Sequence, residues 1–468
     1  MKRVSGTPAA LHRPARPPRL DATGVLLIGA VASAPWTGVK FLGLPVADVL
    51  LLGATATALA SVLVGRRSLQ VRPWTTLPAA AAFAILAVNV ILGSQSLLTS
   101  LLSTGTSSND SIFVGQGGGL LFVLRTTFAT LVMFVLVESE IRRRGSNGGT
   151  KLLEAFVWGT AVSASVAVYT EITGKVILEA GDLIAEQRAW GLAFHPNSLG
   201  QSLALAIPAI FCIAAVKPRG PLRGVVSGGL IGLFGWGLVL ADSRGALAIA
   251  SAMIALLVFV ALYRATGAAW VVPAGIFLGI GLVAVWPSLI AGTRLAQGGL
   301  LGLTDTDEGR REQLQLAWQL FAQNPFVGVG PGQGTGVMVP AYLLSSGGLV
   351  LFLAFCAFIW IGFRAQWRLT SPYPRAYTSS AIATLVLMGL PNNSVNERFD
   401  YVTFSVVVAS ALVLGSTRAK HGGAVSQSPT GESSEVPVAP DHVVGARPAS
   451  VRRAKYPQVG RSAVRRVP

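Results

Sequence analysis

The side chains able to do chemistry in this sequence are few, and most of them are arginines. Asp242-Ser243-Arg244-Gly245 separates two apolar runs that lie too close together for an ordinary loop. Ionisable groups at that depth are costly to bury. Asp242 and Arg244 therefore either neutralise each other or form an anion site. Arg310 and Arg311 open a helical stretch, at the end where the helix dipole disfavours positive charge. They are either solvated loop charges or a bidentate clamp for a phosphate-like group. Arg125 lies within an apolar run with no carboxylate one turn away, so it must face the protein interior, a cavity or an outer funnel. His195, shortly after Arg188, is the only histidine outside the two terminal segments. Pro196 suits the first position of a helix, so His195 or a neighbour caps that helix, and an imidazole there is also the natural base near neutral pH.

Membrane spans must position these groups. The chain has 468 residues, 52% hydrophobic and 12% charged, with a mean hydropathy of +0.59. A soluble protein carries about 25% charged residues, so several soluble domains could not be clothed with this composition. Cys212 and Cys356 both sit in apolar stretches, which leaves no disulfide framework and no cysteine zinc site. About twelve runs approach the roughly 20 residues needed to cross a bilayer. They centre on 24–42, 45–64, 77–93, 117–137, 152–173, 197–216, 224–241, 245–263, 269–291, 336–363, 377–391 and 402–416. Pro35 interrupts the first.

The net charge of +17 invites a nucleic-acid reading, but its distribution argues otherwise. With the N-terminus inside, 28 of the 37 Lys and Arg fall on the inner side and eight on the outer. That split follows the positive-inside rule and predicts both termini in the cytoplasm. The basic excess then reports topology and attraction to anionic membrane lipid, with no nucleic-acid partner. The organisation predicted is a basic arm at 1–22, a membrane domain at 23–416 with a long outer loop at 292–335, and a disordered basic tail at 417–468. The long loop contains an amphipathic helix. Leu314, Ala317, Trp318 and Phe321 share one face, Glu312, Gln315, Gln319 and Gln323 the other, and Asn324-Pro325 ends it. Such a helix is expected to lie along the outer interface.

Taken in order, the motifs are Arg188-x-x-Gly191-x-x-x-His195-Pro196-Asn197, Asp242-Ser243-Arg244-Gly245, and Arg310 followed by Trp318 and Asn324-Pro325-Phe326-x-Gly328-x-Gly330. Their sequence and spacing resemble those of the O-antigen ligase superfamily, which also contains O-antigen polymerases. The resemblance spans roughly residues 20–416. It implies an all-α, GT-C-like polytopic bundle in the bacterial cytoplasmic membrane, with an outer interfacial helix. It also implies transfer of a glycan from a polyprenyl-diphosphate carrier to a glycan or lipid-glycan acceptor on the outer face, without a metal or nucleotide cofactor. Arg244 and Arg310 match the arginines that contact the carrier diphosphate in the family, and Arg188, Arg311 and Asp242 are expected beside them. One departure stands out. Where the ligases carry His-Asn-x-Tyr-Leu, with the proposed base, this chain reads Val339-Pro340-Ala341-Tyr342-Leu343. His195 or a carboxylate (Glu312, Glu397 or Asp400) takes the proton instead, or the chain is polymerase-like, or it is inactive. A transporter or lipid-linked glycan flippase, and a non-catalytic membrane scaffold, are the readings from other classes.

Overall fold

The computed structural model describes residues 21–91, 119–177, 188–217, 220–266, 305–369, 372–393, 395 and 397–425. These form an almost wholly helical bundle: α1 Ala22–Ser33, α2 Val46–Leu63, α3 Leu77–Ile91, α4 Gly119–Arg144, α5 Ser146–Thr173, α6 Pro196–Val216, α7 Pro221–Ala241, α8 Arg244–Thr266, α9 Asp305–Gln323, α10 Val339–Ala365, α11 Pro372–Met388 and α12 Arg398–Val425. Among the described residues, eight helical segments are long and apolar enough to cross a membrane: α2, α3 with the short turn before it, α4 to α8, and α10 with the turn after it. Their outward faces carry Trp158, Trp236, Leu353 and Trp360, all more than half exposed, as lipid-facing surfaces should. The predicted span at 269–291 lies outside the described residues. So do the 1–20 arm, the tail beyond 425 and the 92–118 connection.

The first and last spans differ from expectation. The first span does not run to 42. α1 stops at Ser33, because Pro35 bars the preceding residue from continuing a helix. Twelve residues rise only about 18 Å, and the chain then turns into a two-residue antiparallel ladder, Lys40–Phe41 with Leu44–Pro45. At the other end, α12 runs to Val425 instead of stopping at 416. A helix already nucleated in a packed bundle propagates at little cost until its sequence stops it.

α6 is the hub. It packs against α5, α7, α8 and α11, and it is buried on nearly all sides. Apolar attraction does little to hold helices together in lipid, so close approach of small residues does more of that work. A Cβ on Gly200 of α6 would stand 3.0 Å from Ser243 and Ala246 Cβ at the start of α8, and one on Gly159 of α5 would overlap Ala32 of α1.

α10 is a broken helix. Its apolar run reads as one span, yet Gly348 has φ 58° and ψ −159°. The backbone groups freed by the break are met by the segment before it. Val329 and Gly330 N–H donate to the Ser345 and Ser346 carbonyls (2.9 and 3.0 Å), while Leu349 and Val350 N–H donate to Pro325 and Phe326 (2.9 and 3.2 Å). The Asn324-Pro-Phe-x-Gly-x-Gly motif thus splices the two halves. Glycine is required at 334, where a Cβ would fall 2.0 Å from Ser346 Oγ.

Ion pairs divide the bundle into two ends. At the basic end, Arg72 and Arg142 converge on Glu138 (2.8 and 2.6 Å), Arg67 and Arg144 on Glu140, and Arg143 and Arg67 on Asp21. Asp48, at the start of α2, is at the far end of that helix from Arg67 and pairs with Arg398 at the start of α12.

Candidate functional site

The opposite end gathers most of the residues singled out above. Arg188 is buried (8% exposed), and its Nε donates to the Ala241 carbonyl at 3.0 Å while an Nη donates to Asn197 Oδ1 at 2.9 Å. A guanidinium on the last carbonyls of α7 complements the helix dipole. Ala189 N–H adds a bond to Leu240 O (3.1 Å). Gly191 follows with φ 58°, so close to α5 that a Cβ would sit 2.2 Å from Ser163 O. His195 then caps α6, its Nδ1 accepting from Asn197 N–H at 3.0 Å. An acceptor Nδ1 is unprotonated, so the imidazole is neutral with its proton on Nε2. The whole Arg188–Asn197 motif is therefore a brace tying α5, α6 and α7 together, with His195 in the capping role foreseen for it.

What the brace holds is the 241–245 corner. α7 ends at Ala241, Asp242 takes a left-handed conformation (φ 45°), Ser243 is buried, and α8 begins at Arg244. Asp242 and Arg244 are half-buried. Gly245 meets the loop after α11 so closely that a Cβ there would stand 2.5 Å from Pro391 Cβ.

Arg310, Arg311 and Glu312 belong to another element. They sit on α9, which packs along α10 and begins at Asp305, so Arg310 and Arg311 lie in its second turn and do not open it as expected; Arg310 is half-buried, while Arg311 and Glu312 are exposed. The amphipathic pattern holds, with Ala317 buried and Glu312, Gln315, Gln319 and Gln323 exposed, although Trp318 is half out of the packed face. Arg188 and Arg244 thus share a corner, whereas Arg310 stands on a different helix pair.

Sequence reasoning singled out Arg125 without a partner. It lies two residues before a π-helical turn, Thr127–Val132, and within electrostatic range of Arg398, Glu397, Asp48 and Tyr342. π-turns inside helices re-aim side chains and recur at functional sites. Two further features had no sequence signal. One is an apolar cavity of about 620 Å³ between α10, α11 and α12, bounded by Val339 and Leu390 at this end and reaching Phe363 at the other. The other is the short stretch Pro391, Asn392 and Asn393, which follows Gly389 and Leu390 at the cavity and meets the 241–245 corner through Pro391. Among the described residues, no group of three or more His, Cys, Asp or Glu side chains is placed to hold a metal ion.

No family model and no curated protein matches this chain.

Proposed function

We propose that this protein is a membrane glycosyltransferase of the O-antigen ligase kind, joining or polymerising a polyprenyl-diphosphate-linked glycan on the outer face of the bacterial cytoplasmic membrane. In this reading the bundle is GT-C-like with about twelve spans, both termini are cytoplasmic, and the 241–245 corner opens outward. The observation that carries it is a junction. Pro391 abuts Gly245 beside Arg244, and Gly389 and Leu390 just before it line the apolar cavity along α10. A charged corner that adjoins an apolar groove through Pro391 suits an amphiphile with an anionic head and a long hydrocarbon tail.

The chemistry follows from that placement. The diphosphate departs with growing negative charge, and a fixed guanidinium at a dry mouth stabilises it without a metal ion. Arg244, the first residue of α8 and held from behind by the Arg188 brace, takes that role, and Arg310 and Arg311 on α9 close on the head from the other side. His195 has its Nδ1 engaged in a cap, and Glu312 is solvent-exposed, so neither is central as a base. A hydroxyl acceptor needs only weak base assistance once the leaving group is stabilised. In proteoliposomes with glycan-bearing polyprenyl-diphosphate donor, Arg244→Ala is expected to abolish transfer, Arg244→Lys to restore it in part, and His195→Ala to leave a measurable rate. Full transfer by Arg244→Ala would end this reading.

The break in α10 favours a second reading, a transporter or flippase of the same lipid-linked glycan, since discontinuous helices line many transport sites. Movement of donor across the vesicle without bond formation, unaffected by Arg244→Ala, is the result that separates it.

A further inference from the structure

Asn392, Asn393 and Glu397 each carry a buried polar atom with no hydrogen-bond partner among the described residues. Asn392 is 6% exposed, and its Nδ2 donates to nothing described. Asn393 Oδ1 and Glu397 Oε2 are likewise buried without a hydrogen bond. The cation paired with Glu397, Arg398, stands 3.6 Å away and is already gripped by Asp48. Native proteins leave few such groups, and three so close in sequence need an explanation.

The kind of group they would receive follows from their types. A phosphate calls for donors only and is repelled by Glu397. A metal ion calls for oxygens only, and the amide nitrogen of Asn392 cannot ligate it. An apolar chain calls for none of them. Sugar hydroxyls donate and accept at once, and a mixed set of one N–H donor and two oxygen acceptors suits them. Position agrees: Pro391 meets Gly245 at the Arg244 corner, and Gly389, Leu390 and Val395 line the apolar cavity. The first sugar beyond a diphosphate held at that corner falls there.

We infer that Asn392, Asn393 and Glu397 form a subsite for glycan hydroxyls, an inference that rests on the function proposed above. The test uses full-length protein in nanodiscs and two probes: sugar-free polyprenyl diphosphate, and the same carrier bearing the envelope glycan extracted from membranes of the producing cells. Wild type is expected to hold the glycan-bearing carrier more tightly. Asn392→Leu, Asn393→Leu and Glu397→Gln should each weaken that binding roughly tenfold, the worth of one hydrogen bond in a buried site. Binding of the sugar-free carrier should stay within about twofold of wild type, the scatter expected for a site left untouched. Asn392→Leu, which removes an unmatched buried amide at nearly constant volume, should not lower Tm, and this separates lost recognition from lost folding. Variants that weaken both probes alike, or neither, would overturn the subsite while leaving the carrier site standing. If wild type binds neither probe, the parent reading falls and the subsite with it.

Discussion

The two ends of the bundle use the same residue, arginine, in opposite ways. At the basic end each carboxylate is met twice: Glu138 by Arg72 and Arg142, Glu140 by Arg67 and Arg144, Asp21 by Arg143 and Arg67. Those pairs link the start of α1, the α2–α3 connection and the end of α4, and they lock three segments in place. At the opposite end one such pair recurs, Arg398 with Asp48, but Arg188 is spent on a carbonyl and an amide, Arg244 begins a helix at a corner, and Asn392 and Asn393 keep buried polar atoms without a hydrogen bond. A guanidinium that meets a carboxylate inside the fold is structural glue. At Asn392 and Asn393 the proposed glycan would supply the hydrogen bonds that the described residues do not.

Each end can be broken separately. The largest effect on stability is expected from Glu138→Ala, which strands Arg72 and Arg142 around a site where the carboxylate was 1% exposed. The arginines left behind are partly exposed (28% and 33%), so the cost is about 3 kcal/mol for the lost charge-assisted hydrogen bonds, read as a lowered Tm in detergent, while transfer per folded molecule stays unchanged. Arg244→Ala should do the converse, with Tm near wild type and transfer down by about 10²-fold or more. Gly245→Ala forces a Cβ against Pro391 and should cost about 1–3 kcal/mol as an overpacked contact, with transfer impaired because the corner and Pro391 are pushed apart. His195→Ala removes a cap worth about 1 kcal/mol, and His195→Asn should return most of it.

The smallest effect belongs to Asp21. Burial raises its carboxyl pKa, but the Gly24 N–H together with Arg143 and Arg67 outweighs it, so the net shift is below the ordinary 3.8. A lowered folded value means the contribution is fully present above the unfolded pKa and fades as pH falls through the folded one. Asp21→Asn keeps the cap on α1 and loses the pair with the partly exposed Arg143 and a longer one, 3.8 Å, with the buried Arg67, together about 1 kcal/mol or less because Asp21 itself is partly exposed. The stability gap to wild type should hold at neutral pH and close below about pH 3.8.

Much of the frame was legible in the sequence. Hydropathy located the eight helices long and apolar enough to cross a membrane, the His195-Pro196 pair marked a cap, and the 3.6-residue pattern over 309–323 found most of α9, while the first span was read too long although Pro35 was in view. What escaped depends on contacts between distant residues. Arg72 and Glu138 are 66 positions apart, so nothing local says they meet. The break at Gly348 hid inside a continuous apolar run, because its freed carbonyls are satisfied by residues 329 and 330. The glycines of 328–336 were the available clue, as only a chain needing close backbone approach repeats glycine so densely. For Asn392 and Asn393 the sequence held no signal: an asparagine pair after a proline reads as a turn, and only burial distinguishes a turn from a site.

The central claim is that one amphiphile lies with its anionic head at the 241–245 corner and its tail between α10, α11 and α12. A polyprenyl diphosphate carrying a photoreactive group midway along the tail tests it directly. The account predicts crosslinks to cavity residues such as Phe352, Cys356 and Leu385, strongly reduced in Arg244→Ala and unchanged in Glu138→Gln. Crosslinks that ignore Arg244, or that fall in the shallow pocket between α5 and α7 lined by Trp158, Tyr169 and Leu230, would contradict it.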